Sequence, residues 1–392
     1  MKKFFISFIF VCFALACIPL AGNAYFCSAN EQNMEDVISA DLQNLELKAK
    51  SCVLMDKKSG KLLVSFNENE KLPMASMTKM MVLDLVLDEI YAGRLGLNDE
   101  IMISEEAAAM GGSQCFLDAN KSYSVYELIK SVVVASANDS TVALAEAVSG
   151  SEKMFVAKMN ERAKALGMND TNFVNSTGLD ENGHVSTARD MATIMREVAE
   201  HDLLIEFGKV WMYDMNHSEG RVTSLTNTNR LIKSNPDVVF AKTGHTDDAG
   251  FCITAFATRG DEELIACVMG EDNSPVRFLD CTKLLNYGFS NFENRMIIDS
   301  SKPVEKVVVK GAKIKAIDVF PTRDLEVLVT KNHEVDSSIQ TNINEINAPL
   351  KKGEIVGEMT VNINGENHTI MLEIREDIEE LTVRDIIRKL MD

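Results

Sequence analysis

"KLPMASMTKMMVLDLVLDEI", residues 71–90, places a serine and a lysine three positions apart at the head of an apolar run. The stretch from Met74 to about Ile90 is too apolar for one exposed face, so it predicts a buried helix. Residues i and i+3 share a helix face, so the Lys79 amine can reach the Ser76 hydroxyl. A serine is a poor nucleophile until a base takes its proton. A lysine is that base only if burial or a second cation brings its pKa down from about 10.4. Alone, the pair reads first as a polar helix start. The rest of the chain decides.

Upstream, "SCVLMDKKSGKLLVSFN" alternates about Lys58-Ser59-Gly60 and predicts a β-hairpin. Downstream, residues 125–134 and 140–149 read as helices joined by "ASAND", and helical texture continues to about Phe207. Strand patterns return at "VVFAKTG", "GFCITAFATRG" and "ELIACVMG", followed by a helix around Phe278–Tyr287. The fold class is therefore α/β. An antiparallel sheet is begun by the hairpin, completed by strands much later in the chain and flanked by helices, with a helical subdomain between. This unit spans 49–295. Short alternating strands with turn signals such as Asn364-Gly365 then predict a small all-β domain over 296–375. The tail, 376–392, has the apolar spacing of an amphipathic helix.

The N-terminus carries Lys2 and Lys3, an apolar stretch and small residues at Gly22 and Ala24, so 1–24 reads as a secretory signal. Residues 25–48 form a polar lead-in, flexible or briefly helical. A net charge of −19 over 392 residues, with no basic block, excludes nucleic acid as a partner class. Six cysteines follow the signal: Cys27, Cys52, Cys115, Cys252, Cys267 and Cys281. Their scatter favours buried free thiols over a disulfide framework, although a hairpin could bring Cys252 to Cys267. Cys115 is expected at the cleft rim. The 6 histidines show no metal-ligand spacing, so no metal and no cofactor are expected.

Two further polar signals stand at element ends. Ser136-Ala137-Asn138 lies between the two helices, where the hydroxyl could relay a proton and the amide could hold a carbonyl. Lys242-Thr243-Gly244 closes a strand; its lysine and threonine can bind a carboxylate, and its glycine admits a substrate backbone. The Lys242 cation could also depress the pKa of Lys79.

Ser-x-x-Lys, Ser-x-Asn and Lys-Thr-Gly in that order resemble the penicillin-binding protein and serine β-lactamase superfamily. "PMASMTKMM", "ASANDSTVALAE", "FVNSTGLDENGHVSTARDMA" and "KTGHTDDAGFC" resemble the low-molecular-weight D-alanyl-D-alanine carboxypeptidases of the S11 serine peptidases, with Ala137 where a glycine is expected. "APLKKGEIVGEM" resembles their C-terminal β domain. The resemblance implies a penicillin-binding-protein-like fold. It implies removal of the terminal D-alanine from peptidoglycan stem pentapeptides, and covalent inhibition by β-lactams. Ser76 would be the nucleophile, Lys79 the general base and Ser136 the proton relay, helped by Lys242. Asn138 would orient the substrate amide. Backbone N–H groups of Ser76 and His245, beside Gly244, would form the oxyanion hole. Thr243 and Arg277 would hold the terminal carboxylate. The family further implies export to the outer face of the cytoplasmic membrane, with peripheral attachment through the C-terminal helix. A β-lactamase would need a glutamate in an E-x-x-L-N segment, and "DTNFVNSTGLD" has none. Endopeptidase action on cross-linked peptides is a close variant.

Overall fold

The computed structural model describes residues 27–28, 45–332, 334–385 and 387. The signal segment 1–24 and most of the lead-in lie outside the described residues. Within the lead-in, Cys27–Ser28 is a short strand, β1. The hairpin follows as β2 (Ser51–Asp56) and β3 (Leu62–Phe66). A 3₁₀ turn, Ala75–Thr78, then runs into α1 (Lys79–Tyr91). The helical region comprises α2 (Val125–Ala135), α3 (Asn138–Ser149), α4 (Glu152–Ala165) and α5 (Ala188–Val198). The chain returns to the sheet through β4 (Val238–Thr246), β5 (Gly250–Arg259) and β6 (Glu262–Glu271), and α6 (Ser274–Asn291) follows.

These strands form a 5-stranded sheet in the order β3-β2-β6-β5-β4, antiparallel throughout. Both faces are covered. Along β2, Val53 and Met55 join the core shared with the helical region, whereas Cys52 and Leu54 join the core under α6. The period of two along a strand sends alternate residues to opposite faces. That is why β2 reads as a continuous apolar run. Gly288 lets α6 settle on the sheet, because a Cβ there would lie 2.5 Å from a Leu264 methyl.

The C-terminal region holds β7 (Phe292–Ile298), β8 (Glu305–Lys310), β9 (Ala316–Pro321) and β10 (Leu325–Thr330). It continues with β11 (Ser337–Ile343), β12 (Ile346–Asn347), β13 (Ile355–Ile363) and β14 (Glu366–Glu373). A 6-stranded sheet runs β11-β13-β14-β9-β8-β12, and a 3-stranded one runs β1-β10-β7. Lys58 of the first hairpin meets Glu326 of β10 at 3.0 Å. Asn294 of β7 donates to Asp56 at 2.9 Å.

Four sequence expectations are corrected here. The lead-in is not uniformly irregular, since Cys27–Ser28 pairs in parallel with β10. The buried helix begins as a 3₁₀ turn at Ala75, one residue later than expected. Cys115 does not line a rim: it is buried, its backbone N–H donating to Asp139 at 3.2 Å and its thiol contacting Ser140 at 3.0 Å. Ile378, placed above on the amphipathic tail, is buried in the β domain and bridges to Leu350. Cys52, Cys115, Cys252, Cys267 and Cys281 are free and buried.

Candidate active site

In a 3₁₀ helix, residues i and i+3 eclipse one another, so the turn Ala75–Thr78 aims Lys79 straight back at Ser76. Lys79 Nζ lies 2.8 Å from Ser76 Oγ and donates to the Thr177 carbonyl at 2.5 Å. The lysine is fully buried. Burial first, and then the Lys242 charge, hold its pKa well below the ordinary lysine value, against an opposing pull from Asp139. The turn that carries Ser76 is strained: Ala75 has φ +48, a conformation that costs a non-glycine residue about 1–3 kcal/mol.

Ser136 caps α2 in a left-handed conformation, φ +60 and ψ +35. Its hydroxyl accepts from Lys242 Nζ at 2.7 Å. Ala137, where a glycine was expected, has φ −61 and ψ +120, which any residue adopts. Asn138 opens α3. Its Nδ2 donates to the Gly111 carbonyl at 2.7 Å, while its buried Oδ1 has no hydrogen-bond partner in the protein.

The Lys-Thr-Gly segment lies on β4, the edge strand beside the Ser76 turn. Gly244 is required there, because a Cβ would sit 2.7 Å from the Met74 carbonyl oxygen and 3.3 Å from the Met77 nitrogen. Lys242 is buried, and burial followed by the Arg277 charge brings it down to about 7. Thr243 donates its hydroxyl hydrogen to Thr228 at 2.8 Å. Arg277, in the first turn of α6, is buried beneath the strand and donates to the Gly244 carbonyl at 2.8 Å. Its Nε has no partner in the protein. The His245 ring stacks on Phe251 at 3.9 Å, so its side chain is occupied by its cross-strand neighbour.

The positions that sequence reasoning passed over lie in the loop between α4 and α5. Thr177 supplies the carbonyl on Lys79. Gly178, at φ +86, passes so close to the turn that a Cβ would lie 1.9 Å from the Ala75 oxygen. His184 Nδ1 accepts from the Val174 N–H at 3.0 Å, which leaves Nε2 to donate to Thr78 Oγ1 at 2.7 Å. Thr78 in turn donates to the Ala75 carbonyl at 2.8 Å. Burial depresses His184 to about 4, so it stays neutral near neutral pH. The signal was present in "FVNSTGLDENGHVSTARDMA", but a backbone carbonyl has no side-chain signature to read.

The Lys79 environment sets a pH dependence. A lysine must be neutral to accept a proton. Acylation by a β-lactam is therefore expected to rise with pH along a limb placed below the ordinary lysine pKa. Lys242→Gln removes the neighbouring charge, so it should move that limb to higher pH and lower its plateau. The check is the rate of penicillin acylation against pH; an unmoved limb would detach Lys242 from Lys79.

A serine facing a buried lysine, a second serine–lysine pair and an adjoining strand edge define a serine acyl-transfer enzyme on the fold of the penicillin-binding proteins. The S11 peptidase family, D-alanyl-D-alanine carboxypeptidase, matches residues 37–273, and the penicillin-binding protein 5 C-terminal domain matches 292–378. The chain belongs to the D-alanyl-D-alanine carboxypeptidase family and is a serine hydrolase. It is 39% identical over 321 residues to D-alanyl-D-alanine carboxypeptidase DacF of Bacillus subtilis, covering 81% of this chain and 82% of that one. To D-alanyl-D-alanine carboxypeptidase DacC of Escherichia coli it is 34% identical over 346 residues, 85% of this chain and 84% of the other. The crystal structure of penicillin binding protein 5 from Haemophilus influenzae superimposes with a TM-score of 0.69 at 30% identity, covering 86% of this chain and 98% of that one.

Proposed function

We propose that this enzyme removes the terminal D-alanine of peptidoglycan stem pentapeptides through an acyl-enzyme on Ser76. The observation that carries the assignment of roles is the buried, cation-flanked Lys79 amine, 2.8 Å from Ser76 Oγ. Neutral Lys79 takes the hydroxyl proton as Ser76 Oγ attacks the penultimate D-alanine carbonyl. The oxyanion is held by the Ser76 and His245 N–H groups, donors worth about 10²–10³ each in rate. Ser136, backed by Lys242, passes a proton to the departing D-alanine amine. Asn138 offers its unpartnered Oδ1 to the substrate amide N–H. Thr243 meets the terminal carboxylate, and Arg277 adds its positive charge from beneath Gly244. Water then cleaves the ester, its proton returning through Lys79.

The test is mass spectrometry of the protein with a penicillin and with a diacyl-D-Ala-D-Ala peptide. One penicilloyl adduct on the Ser76 peptide and one D-alanine released per peptide are expected. Steady hydrolysis of the β-lactam would overturn the reading in favour of a β-lactamase.

Residues 1–24 support export to the cell-wall space, and the tail supports peripheral attachment to the membrane's outer face. Val383 and Ile387 are 73% and 53% exposed, an apolar pair free to meet lipid. No helix among the described residues is long and apolar enough to cross a membrane. Deleting 382–392 is expected to move the protein from the membrane to the soluble fraction with penicillin labelling unchanged. Retention on the membrane would remove the tail from the attachment.

A further inference from the structure

Away from the catalytic groups, α1 brings Asp84 and Asp88 onto one face, four residues apart. The segment after α5 presents His201 to that face. One Asp84 oxygen, Oδ2, accepts from Arg162 Nε at 2.9 Å. The other, Oδ1, is buried with no hydrogen-bond partner, and it faces His201 Nε2 at 3.6 Å. Ligand atoms of Asp84, Asp88 and His201 all lie within 4.8 Å of one another, the one such group of three among the described residues.

The charges do not balance locally. Arg162 is the guanidinium shared by Asp84, by Asp88 at 3.7 Å and by Glu197 at 3.5 Å. Arg196 also offsets Glu197, which leaves Asp84 and Asp88 sharing the Arg162 guanidinium beside a buried acceptor that has no hydrogen-bond partner. We propose that Asp84, Asp88 and His201 bind a divalent transition metal, zinc foremost, with solvent completing the coordination.

The donor set selects the ion. Two carboxylates and an imidazole suit zinc or its neighbours, whereas calcium and magnesium take oxygen ligands. Zinc bonds of about 2.0 Å place tetrahedral ligands roughly 3.3 Å apart. The Asp84–His201 separation of 3.6 Å is already close to that edge. Asp88, with 45% of its side chain exposed, can rotate inward and leave a face open to water. His201 is oriented by stacking on Tyr91 at 5.3 Å. The role is structural, because the ion would fasten the helix that begins at Lys79 to the end of α5.

The experiment uses tag-free protein, freed of metal by a chelator and titrated with Zn²⁺ calorimetrically, with melting followed in parallel. One Zn²⁺ per chain and a raised melting temperature are expected. Co²⁺ in its place should give the visible absorption of a four-coordinate ion. Asp88→Asn and His201→Ala should each weaken uptake by more than the roughly 10–100-fold that loss of an outer-shell partner costs. Both variants should abolish the Co²⁺ band, with native circular dichroism and penicillin labelling showing that they remain folded. No Zn²⁺ uptake by the unaltered protein would overturn the proposal. So would uptake that both folded variants retain, since the ion would then lie elsewhere.

Discussion

Ser76→Ala is expected to lower turnover of a D-Ala-D-Ala peptide by about 10⁶-fold, the scale of removing the nucleophile from a serine hydrolase. Penicillin labelling should vanish with it. Lys79→Ala leaves the hydroxyl but removes its base, a loss of about 10²–10⁴. The two residues form one unit, joined at 2.8 Å, so their effects should not add. A Ser76→Ala, Lys79→Ala double variant should be no slower than Ser76→Ala alone. Steady-state release of D-alanine measures the first loss, and single-turnover acylation measures the second. Labelling of Ser76→Ala at the normal rate would place the nucleophile elsewhere. A multiplicative double variant would mean that Lys79 acts on a step that Ser76 does not share.

Gly178→Ala is the second large effect, and it is structural in origin. At φ +86 the added methyl lies 1.9 Å from the Ala75 oxygen, 2.3 Å from its carbonyl carbon and 2.9 Å from the Ser76 nitrogen. All three atoms are backbone, so no flexible side chain can yield. The strained φ costs about 1–3 kcal/mol, and forcing extra volume into a packed site costs about 1–3 kcal/mol more. For a domain of this size each kcal/mol lowers Tm by roughly 2–4 °C. Because Thr177, which holds Lys79, is the adjacent residue, the relief of the clash displaces the base. A misplacement near 1 Å costs about 10²-fold in rate. Gly183→Ala is the matched control: its φ is +85, but its Cβ would meet only the Asn172 side chain at 3.8 Å. It should carry the backbone strain and keep the acylation rate. Equal acylation by the two variants would show that the close contact at Ala75 does not govern the site.

Much of this was legible in the chain because it is local. The two short apolar runs on either side of the Lys58-Ser59-Gly60 turn are the hairpin, and the dense apolar run of 80–87 is the buried helix. Ser76, Lys79, Ser136, Asn138 and Lys242 announced themselves through short polar motifs at element ends. The ends of elements were less legible. The last long helix runs Ser274–Asn291, beyond the Phe278–Tyr287 expected, and so takes in Arg277. Asn273 caps it with its side chain, and a proline in its first turn fits the helical φ.

What the sequence by itself determined, then, is which residues could do acyl chemistry and which strands and helices carry them. Tertiary structure alone decided how they act on one another. In the proposed mechanism Lys79 can serve as the base because packing strips its water and sets it near Lys242, a residue of an edge strand far along the chain. Thr177 holds it through a carbonyl that every residue type possesses. Cys115 turned inward because Asp139 needed its N–H, and Ile378 joined the β domain rather than a tail helix. The Asp84, Asp88 and His201 cluster is the extreme case, since its histidine lies more than a hundred residues from its acids. Motif spacing records contacts made along one element. Burial, charge proximity and backbone contacts between distant segments depend on the packed fold.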